Sequence, residues 1–302
     1  MVYGDKPMDD TVELSIIIVN YNTKDLVVAC LASIEKARSA NDRWEIIVID
    51  NGSHDGSVQK LISLKKQISN FFVIASDINL GFAGGNNLGI KKAHGLYILL
   101  LNSDTQVLPG SIQEVKGYIE KHPEVGVTTC KVLLPNGAID PACHRGFPTP
   151  WNAFTYFIGL ERLFPRMSWA SGYHQWYKDL ETSHEIDSPS GAFYMVRREV
   201  IDQVGLLDES FFMYGEDLDW SYRIKQSRWK IVYYPDVCIL HKKKQSGRMH
   251  KSNDIRKITD YHFYNAMKQF YDKHYRHMYP WFVTAGISFV LRIRTWLKPP
   301  RL

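Results

Sequence analysis

A chain of 302 residues that is 45% hydrophobic and 23% charged can bury one large core or two fused smaller ones. Its 37 lysines and arginines exceed its 32 aspartates and glutamates, and the resulting formal charge of +5 is too mild to point to nucleic acid, though it leaves anionic substrates or lipids open. The four cysteines, Cys30, Cys130, Cys143 and Cys238, form no Cys-x-x-Cys pair and no zinc spacing, which fits a reduced, cytoplasmic setting. The first twelve residues carry Asp5, Asp9 and Asp10 and no apolar core, so no secretory signal is expected. The longest uncharged apolar stretch, Trp281 to Leu291, falls short of the roughly 20 residues a membrane span needs.

Leu14 to Val19 is a continuous aliphatic run of the kind buried on both faces of a parallel sheet, and it breaks at Asn20-Tyr21-Asn22. Thr23 is placed to cap a helix whose apolar positions Leu26, Val27, Cys30, Leu31 and Ile34 follow the 3.6-residue period. Ile46 to Ile49 predicts a second strand, ending in Asp50-Asn51-Gly52-Ser53, with Val58, Leu61 and Ile62 marking the next helix. A third strand, Phe71 to Ala75, leads into the glycine-rich Asn79 to Asn87 and a helix to about Ala93. Tyr97 to Leu101 is the fourth, stopped by Asn102-Ser103-Asp104; Pro109 opens a helix, and Val125 to Val132 is a fifth strand. This alternation predicts a doubly wound α/β sheet whose ligands bind at the carboxyl ends of its strands. From about Pro141 to Tyr177 the pattern dissolves into aromatic-rich loops. Regularity returns with a strand at Ala192 to Val196, a helix from Glu216 to Lys225, strands at Ile231 to Tyr234 and Val237 to Leu240, and a long helix from Ile255 to His274.

Two segments carry chemistry-bearing side chains. Asp104 stands where a carboxylate can hold a divalent cation against phosphates, and equally where a turn or helix cap would use it. The run Phe211 to Trp220 places Glu216, Asp217 and Asp219 at a helix start, beside Gly215 and several aromatics. Acids there are ordinarily partners of the helix dipole, but the glycine and the aromatic faces favour a sugar site with Asp217 as general base. Gly81, Gly84 and Gly85 do not make a dinucleotide fingerprint, because they follow the third strand at the wrong spacing; a nicotinamide oxidoreductase is therefore disfavoured.

The segments Ser15 to Asn22, Ile49 to Gly56, Asn79 to Asn87, Leu101 to Thr105, Pro189 to Ala192 and Gly215 to Asp217 are together specific in order and separation. From Leu14 to about Ser246 the chain resembles glycosyltransferase family 2, and within it the bacterial rhamnosyltransferase-like group. The resemblance implies the α/β GT-A fold, a Rossmann-like, mostly parallel sheet with helices on both faces, followed by a helical C-terminal tail. It divides the chain into a nucleotide-sugar half (1–140), an acceptor-binding and catalytic half (141–250) and the tail (251–302).

It further implies an inverting, metal-dependent hexosyl transfer from a nucleotide-diphosphate sugar to a hydroxyl of a glycan or lipid-linked saccharide, in cell-surface polysaccharide synthesis. L-rhamnose from a dTDP donor is the leading expectation, and a UDP-linked hexose or N-acetylhexosamine the alternative. Donor contacts are expected from Val19, Asn20, Asn22, Asp50, Asn51, Ser53, Gly81, Phe82, Gly85, Asn86, Asn87, Asn102, Ser103 and Asp104. In that set Asp50 and Asn51 meet the N3–H of a pyrimidine, and relatives carry a second aspartate where Asn51 stands. Mg²⁺ or Mn²⁺ falls to Asp104 and His241, with Lys242, Lys243 and Lys244 near the diphosphate. Ser190, Gly191, Ala192, Glu216 and Trp220 are expected in the acceptor or sugar pocket, with Trp220 and Arg223 also supporting the Asp217 helix.

In the tail, Phe282, Phe289, Ile293 and Trp296 share a helical face flanked by Arg292, Arg294 and Lys298. Two readings stand: a peripheral contact with the cytoplasmic face of a bacterial inner membrane, or packing against the core or a second copy in a homodimer. No nucleic-acid partner is expected. A processive synthase would need Gln-x-x-Arg-Trp, and Gln226-Ser227-Arg228-Trp229 is one residue short; a catalytically silent binding module would not need Asp104 and Asp217.

Overall fold

The computed structural model describes residues 2–3, 12–242 and 253–296. Asp5, Asp9, Asp10, Lys243, Lys244, Ser246, Lys298 and the Trp296 side chain lie outside the described residues. In chain order the elements are β1 (Val2–Tyr3), β2 (Leu14–Asn20), α1 (Lys24–Ala37), β3 (Trp44–Asn51), α2 (Ser57–Leu64), β4 (Phe71–Ser76), α3 (Gly81–Ile90), β5 (Tyr97–Leu101), β6 (Thr105–Val107), α4 (Ser111–Lys121) and β7 (Val125–Leu133). There follow α5 (Pro150–Phe157), α6 (Leu160–Leu163), β8 (His184–Glu185), β9 (Phe193–Arg197), α7 (Arg198–Val204), α8 (Glu216–Gln226), β10 (Lys230–His241), α9 (Asn253–His274) and α10 (Trp281–Trp296).

One ten-stranded sheet organises these elements, in the order β1-β4-β3-β2-β5-β9-β7-β10-β6 with β8 paired to β10. Strands β4, β3, β2 and β5 run parallel, β9 is antiparallel to both β5 and β7, and β10 returns parallel to β7. The fold is GT-A, with the mostly parallel sheet interrupted at β9. Every residue of β3 is buried, and all but one of β2 are, as expected of strands covered on both faces. The parallel register sets Asn20 beside Asp50, and Asp50 beside Ala75, so the polar carboxyl ends line one edge.

Four local departures from the sequence expectation matter for the site. The two strands expected at Ile231–Tyr234 and Val237–Leu240 are one strand, β10, whose pairing with β7 shifts register between Tyr234 and Cys238. Pro235 in that gap has no N–H to give the ladder, and the bulge absorbs it without ending the strand. The short β6, which the sequence reading missed, pairs antiparallel with the end of β10 and sets His241 opposite Thr105. The expected loop region contains α5, begun by Thr149, whose hydroxyl accepts from the Asn152 N–H at 3.2 Å, and by Pro150. Thr23, by contrast, stands at the start of α1 without capping it; its hydroxyl donates to Asn20 Oδ1 at 2.7 Å.

The C-terminal helices divide between packing and exposure. Phe270 and Tyr271 of α9, with Tyr275 just past its end, form a second apolar cluster with Phe211 and Leu218, while α10 leaves Trp281 81% exposed and Phe289 67% exposed. Asp219, fully buried, binds α8 to α9 through His274 Nε2 and Lys273 Nζ, each at 2.7 Å, and accepts from Arg223 at 2.9 Å. Burial opposes its charge, but the hydrogen bonds from His274 and Lys273 and the Arg223 guanidinium outweigh it and hold the carboxyl down at about 2.

Candidate active site

At the ends of β2 and β3 a buried polar knot forms. Asn20 Nδ2 donates to Asp50 Oδ2 at 2.9 Å, and Asp50 Oδ1 accepts from the Ser53 N–H at 2.9 Å. The Ser53 hydroxyl accepts from the Asn22 N–H at 2.9 Å, and the Thr23 hydroxyl lies 3.1 Å from that of Ser103. Asp50 is thus fixed at the strand end with acceptor capacity beyond these two bonds.

The glycine-rich helix α3 is tied to this knot by Asn51. The Asn51 amide donates to Asn79 Oδ1 at 2.9 Å and Gly81 O at 3.0 Å, while its oxygen accepts from the Leu80 N–H at 2.9 Å. Gly81 sits at φ +75, where a Cβ would lie 2.4 Å from the Phe212 carbonyl, so no other residue fits. Val19 packs on Gly85, whose added Cβ would come within 2.9 Å. Asn86 donates to the Phe82 carbonyl at 2.9 Å. Asn87 donates to Leu207 O at 2.9 Å and Glu209 Oε1 at 2.8 Å and accepts from the Leu207 N–H at 3.1 Å. Asn51 is expected to accept from the base through its amide oxygen, and Asn86 or Asn87 to bond the sugar or ribose; in the structure all three amides also hold α3 and the loops around it.

Past β5, a histidine stands between two acids. His241 Nε2 lies 3.1 Å from Asp104 Oδ1, and its Nδ1 lies 3.1 Å from Asp140 Oδ2, with all three side chains at most 8% exposed. Burial disfavours the imidazolium, but hydrogen bonds to Asp104 and then to Asp140 prevail and raise His241 to about 9. The Asn102 amide reaches within 3.4 Å of the same Nε2. These residues fit a divalent cation. One oxygen and one nitrogen donor converge, and Asp140 holds the far side of the ring as carboxylates do behind metal-binding histidines. Among the described residues no group of three or more acids, histidines or cysteines is placed to hold a metal ion by itself.

On the other side, Gly215 at φ +83 turns the chain into α8 and brings Glu216 and Asp217 to its first turn. Asp217 Oδ2 accepts from Arg145 Nη2 at 2.6 Å, and Arg145 also donates to the Pro189 carbonyl at 3.0 Å. Burial opposes the Arg145 charge, yet Asp217 holds it above the usual range. Glu216 is buried with Oε2 lacking any hydrogen-bond partner, and burial together with the adjacent Asp217 carboxylate raises it to about 8. Both acids line a cavity of about 80 Å³ with Tyr173, Tyr214 and, from α9, Phe263 and Met267.

The segment Pro189 to Ala192 joins the two sides. Arg145 holds its first carbonyl, while the Asn102 N–H donates to the Ala192 carbonyl at 3.4 Å, two residues before Asp104. Three residue steps between them span at most about 10 Å. Gly191 lets the Phe82 ring approach, since a Cβ there would meet it at 2.6 Å, and the Ser190 hydroxyl is buried without a partner. Trp220 is fully buried, stacked on Tyr194, with Nε1 donating to Gly205 O at 2.9 Å, which is the position of a residue that supports α8 from inside the core and not of one exposed to an acceptor.

Sequence reasoning missed Asp140 and Arg145. Asp140 reads as a turn residue before Pro141, which it also is, since it accepts from the Ala142 N–H at 3.1 Å. Arg145 has no local signal; only its burial beside Asp217 reveals it.

A family model for glycosyl transferase family 2 matches residues 15–205. An N-acetylglucosaminyl-diphospho-decaprenol L-rhamnosyltransferase of Mycobacterium tuberculosis is 28% identical over 245 residues, 77% of each chain. The low-salt glycan biosynthesis hexosyltransferase Agl10 of Haloferax volcanii is 27% identical over 76% of this chain and 67% of its own. Among solved structures, a mannosyltransferase from Pyrobaculum calidifontis in complex with GDP-Man and Mn²⁺ superposes with TM-score 0.61 at 15% identity, covering 89% of this chain and 66% of that one. S. aureus TarS superposes with TM-score 0.57 at 17% identity, covering 85% and 64%.

Proposed function

This chain belongs to glycosyl transferase family 2 and is a glycosyltransferase, and from that premise we propose the reaction it carries out: inverting transfer of L-rhamnose from dTDP-rhamnose to a hydroxyl of a lipid-linked saccharide. The observation that carries this reading is the segment Pro189 to Ala192, held at one end by Arg145 of the Asp217 pair and at the other by Asn102 beside Asp104. In this reading Asp217, as proton acceptor, and Asp104, as the phosphate-side carboxylate, belong to the two flanks of that short stretch of chain. The sugar and the acceptor class follow the Mycobacterium tuberculosis relative, whose printed name gives both.

In this scheme Asp217 accepts the proton of the acceptor hydroxyl as its oxygen bonds to the anomeric carbon and the bond from that carbon to the diphosphate oxygen breaks. Arg145 fixes the Asp217 carboxylate, and Glu216, protonated at neutral pH, adds no second negative charge beside it. Asp104 and His241 would hold Mg²⁺ or Mn²⁺, which when bound offsets the charge of the diphosphate. Asp50, Asn20 and Ser53 form the floor for the base. Ser190 offers its free hydroxyl to the sugar. Among the described residues no helix is long and apolar enough to cross a membrane. The reading includes peripheral contact with a lipid-borne acceptor at the cytoplasmic face of the bilayer.

A panel of dTDP- and UDP-linked sugars, incubated with N-acetylglucosamine-diphosphate lipid with and without a chelator, tests the reading. Rhamnosyl transfer with inverted anomeric configuration, lost on chelation, is expected. Retained configuration, or use of UDP-sugars alone, would overturn the corresponding part.

A further inference from the structure

We propose that the groove between α5, α9 and α10 is the seat of the acceptor's hydrocarbon chain, so that the lipid enters the active site along α9. This rests on the acceptor being lipid-linked, as argued above. The groove encloses about 320 Å³ and is walled by Phe154 and Phe157 of α5, Met267 of α9, and Gly286, Ile287 and Val290 of α10. Water in so apolar a volume finds few hydrogen-bond partners, so an apolar occupant is favoured.

Continuity with the catalytic cavity identifies that occupant. Pro148 and Met267 line both the groove and the 80 Å³ cavity that holds Glu216 and Asp217. A saccharide whose hydroxyl meets Asp217 therefore has its linked chain emerging directly into the groove. A helix from a second copy of this protein would fill an apolar trough equally well, but would gain nothing from a passage to the catalytic carboxylates. The outer rims carry half-exposed side chains, Phe154 at 50% and Val290 at 55%, so the groove opens onto an apolar surface instead of a charged one. The charged residue among those lining it is a cation, Arg294, the sign a phosphate-linked lipid requires.

Gly286 supplies the means to test this, because it lines the groove and a Cβ built there meets nothing within 4 Å, so a side chain can start from this wall without a clash at its root. The full chain and its Gly286→Trp variant are exposed to a hexadecyl diphosphate bearing a terminal diazirine, then irradiated and digested. Labelling of peptides from α5 and α10 is expected, reduced at least tenfold in Gly286→Trp. Labelling elsewhere, or labelling that the variant leaves intact, would overturn the assignment, and Ala153→Phe from the opposite wall repeats the test should Gly286→Trp fail to fold.

Transfer kinetics supply a second readout with N-acetylglucosamine diphosphate carrying ethyl, octyl or hexadecyl chains. The KM of the wild-type protein is expected to fall about fourfold for each methylene that the groove buries, then level off. In Gly286→Trp the ratio of kcat/KM for hexadecyl to ethyl acceptor should drop at least tenfold. Transfer that ignores chain length leaves the reaction standing and overturns the groove; labelled α5 and α10 without transfer to any of these acceptors overturns the reaction and leaves the groove. A variant that changes oligomeric state but keeps the chain-length dependence would assign the face to a second copy.

Discussion

The two acid clusters of the site solve opposite electrostatic problems. In one, His241 lies between Asp104 and Asp140, two carboxylates that together exceed the single positive charge the ring can carry. In the other, Asp217 is matched by Arg145, and Glu216 is neutral near pH 7 because burial and its neighbour raise it to about 8. The first cluster retains negative charge and so attracts a cation; the second has its charge balanced and a carboxylate oriented, which suits the handling of one proton. Identical side-chain types thus acquire different tasks from what surrounds them.

The sharpest way to break this contrast is Asp217→Asn, which keeps the shape and removes the basicity. A fall in kcat of about 10²–10⁴ is expected with donor KM little changed, read in single-turnover assays; near-normal kcat would move the base elsewhere. Next, Arg145→Met strands Asp217 without its partner in a largely buried position, for which a stability loss of about 3–5 kcal/mol by urea titration is expected. Asp140→Asn tests the first cluster alone: the Mn²⁺ concentration for half-maximal activity should rise about 10–100-fold while kcat at saturating metal is largely kept.

The last effect is one of pH dependence and concerns Glu216. A carboxyl raised from 4.5 to about 8 binds its proton more tightly when folded, so between those pH values the unfolded state carries fewer protons and stability falls as pH rises. The stability this group contributes is complete below about pH 4.5 and gone above about pH 8. Glu216→Gln should flatten that decline in Tm across the same window. An equal slope in both proteins would mean that Glu216 is ionised throughout.

The parallel strands β2 to β5 were legible because a strand buried on both faces must be written in aliphatic residues, and Ile16 to Ile18 and Ile46 to Ile49 are. Asp50, Asp104 and Asp217 stood out in the sequence because each lies at a strand end or a helix start. What stayed hidden depends on residues far apart in the chain. Asp140 meets His241 across 101 positions and Arg145 meets Asp217 across 72, and no local pattern encodes either meeting. The partners of Asn87 and Trp220 were hidden for a related reason: their side chains bond Leu207, Glu209 and Gly205, none of them a near neighbour in the chain. The short β6 was unreadable at three residues, yet its pairing with β10 is what delivers His241 to Asp104.

Asp219 carries a last consequence. Two positions beyond Asp217, its ionised carboxyl is matched in part by Lys273 and His274, residues well past the stretch that the family model matches. Clipping the polypeptide ahead of α9 would leave that anion in the interior with Arg223 alone, at the root of the helix that presents the base. Swapping this C-terminal hairpin between relatives, as though it were an interchangeable adaptor, would thus demand that a matching pair of cations travel with it.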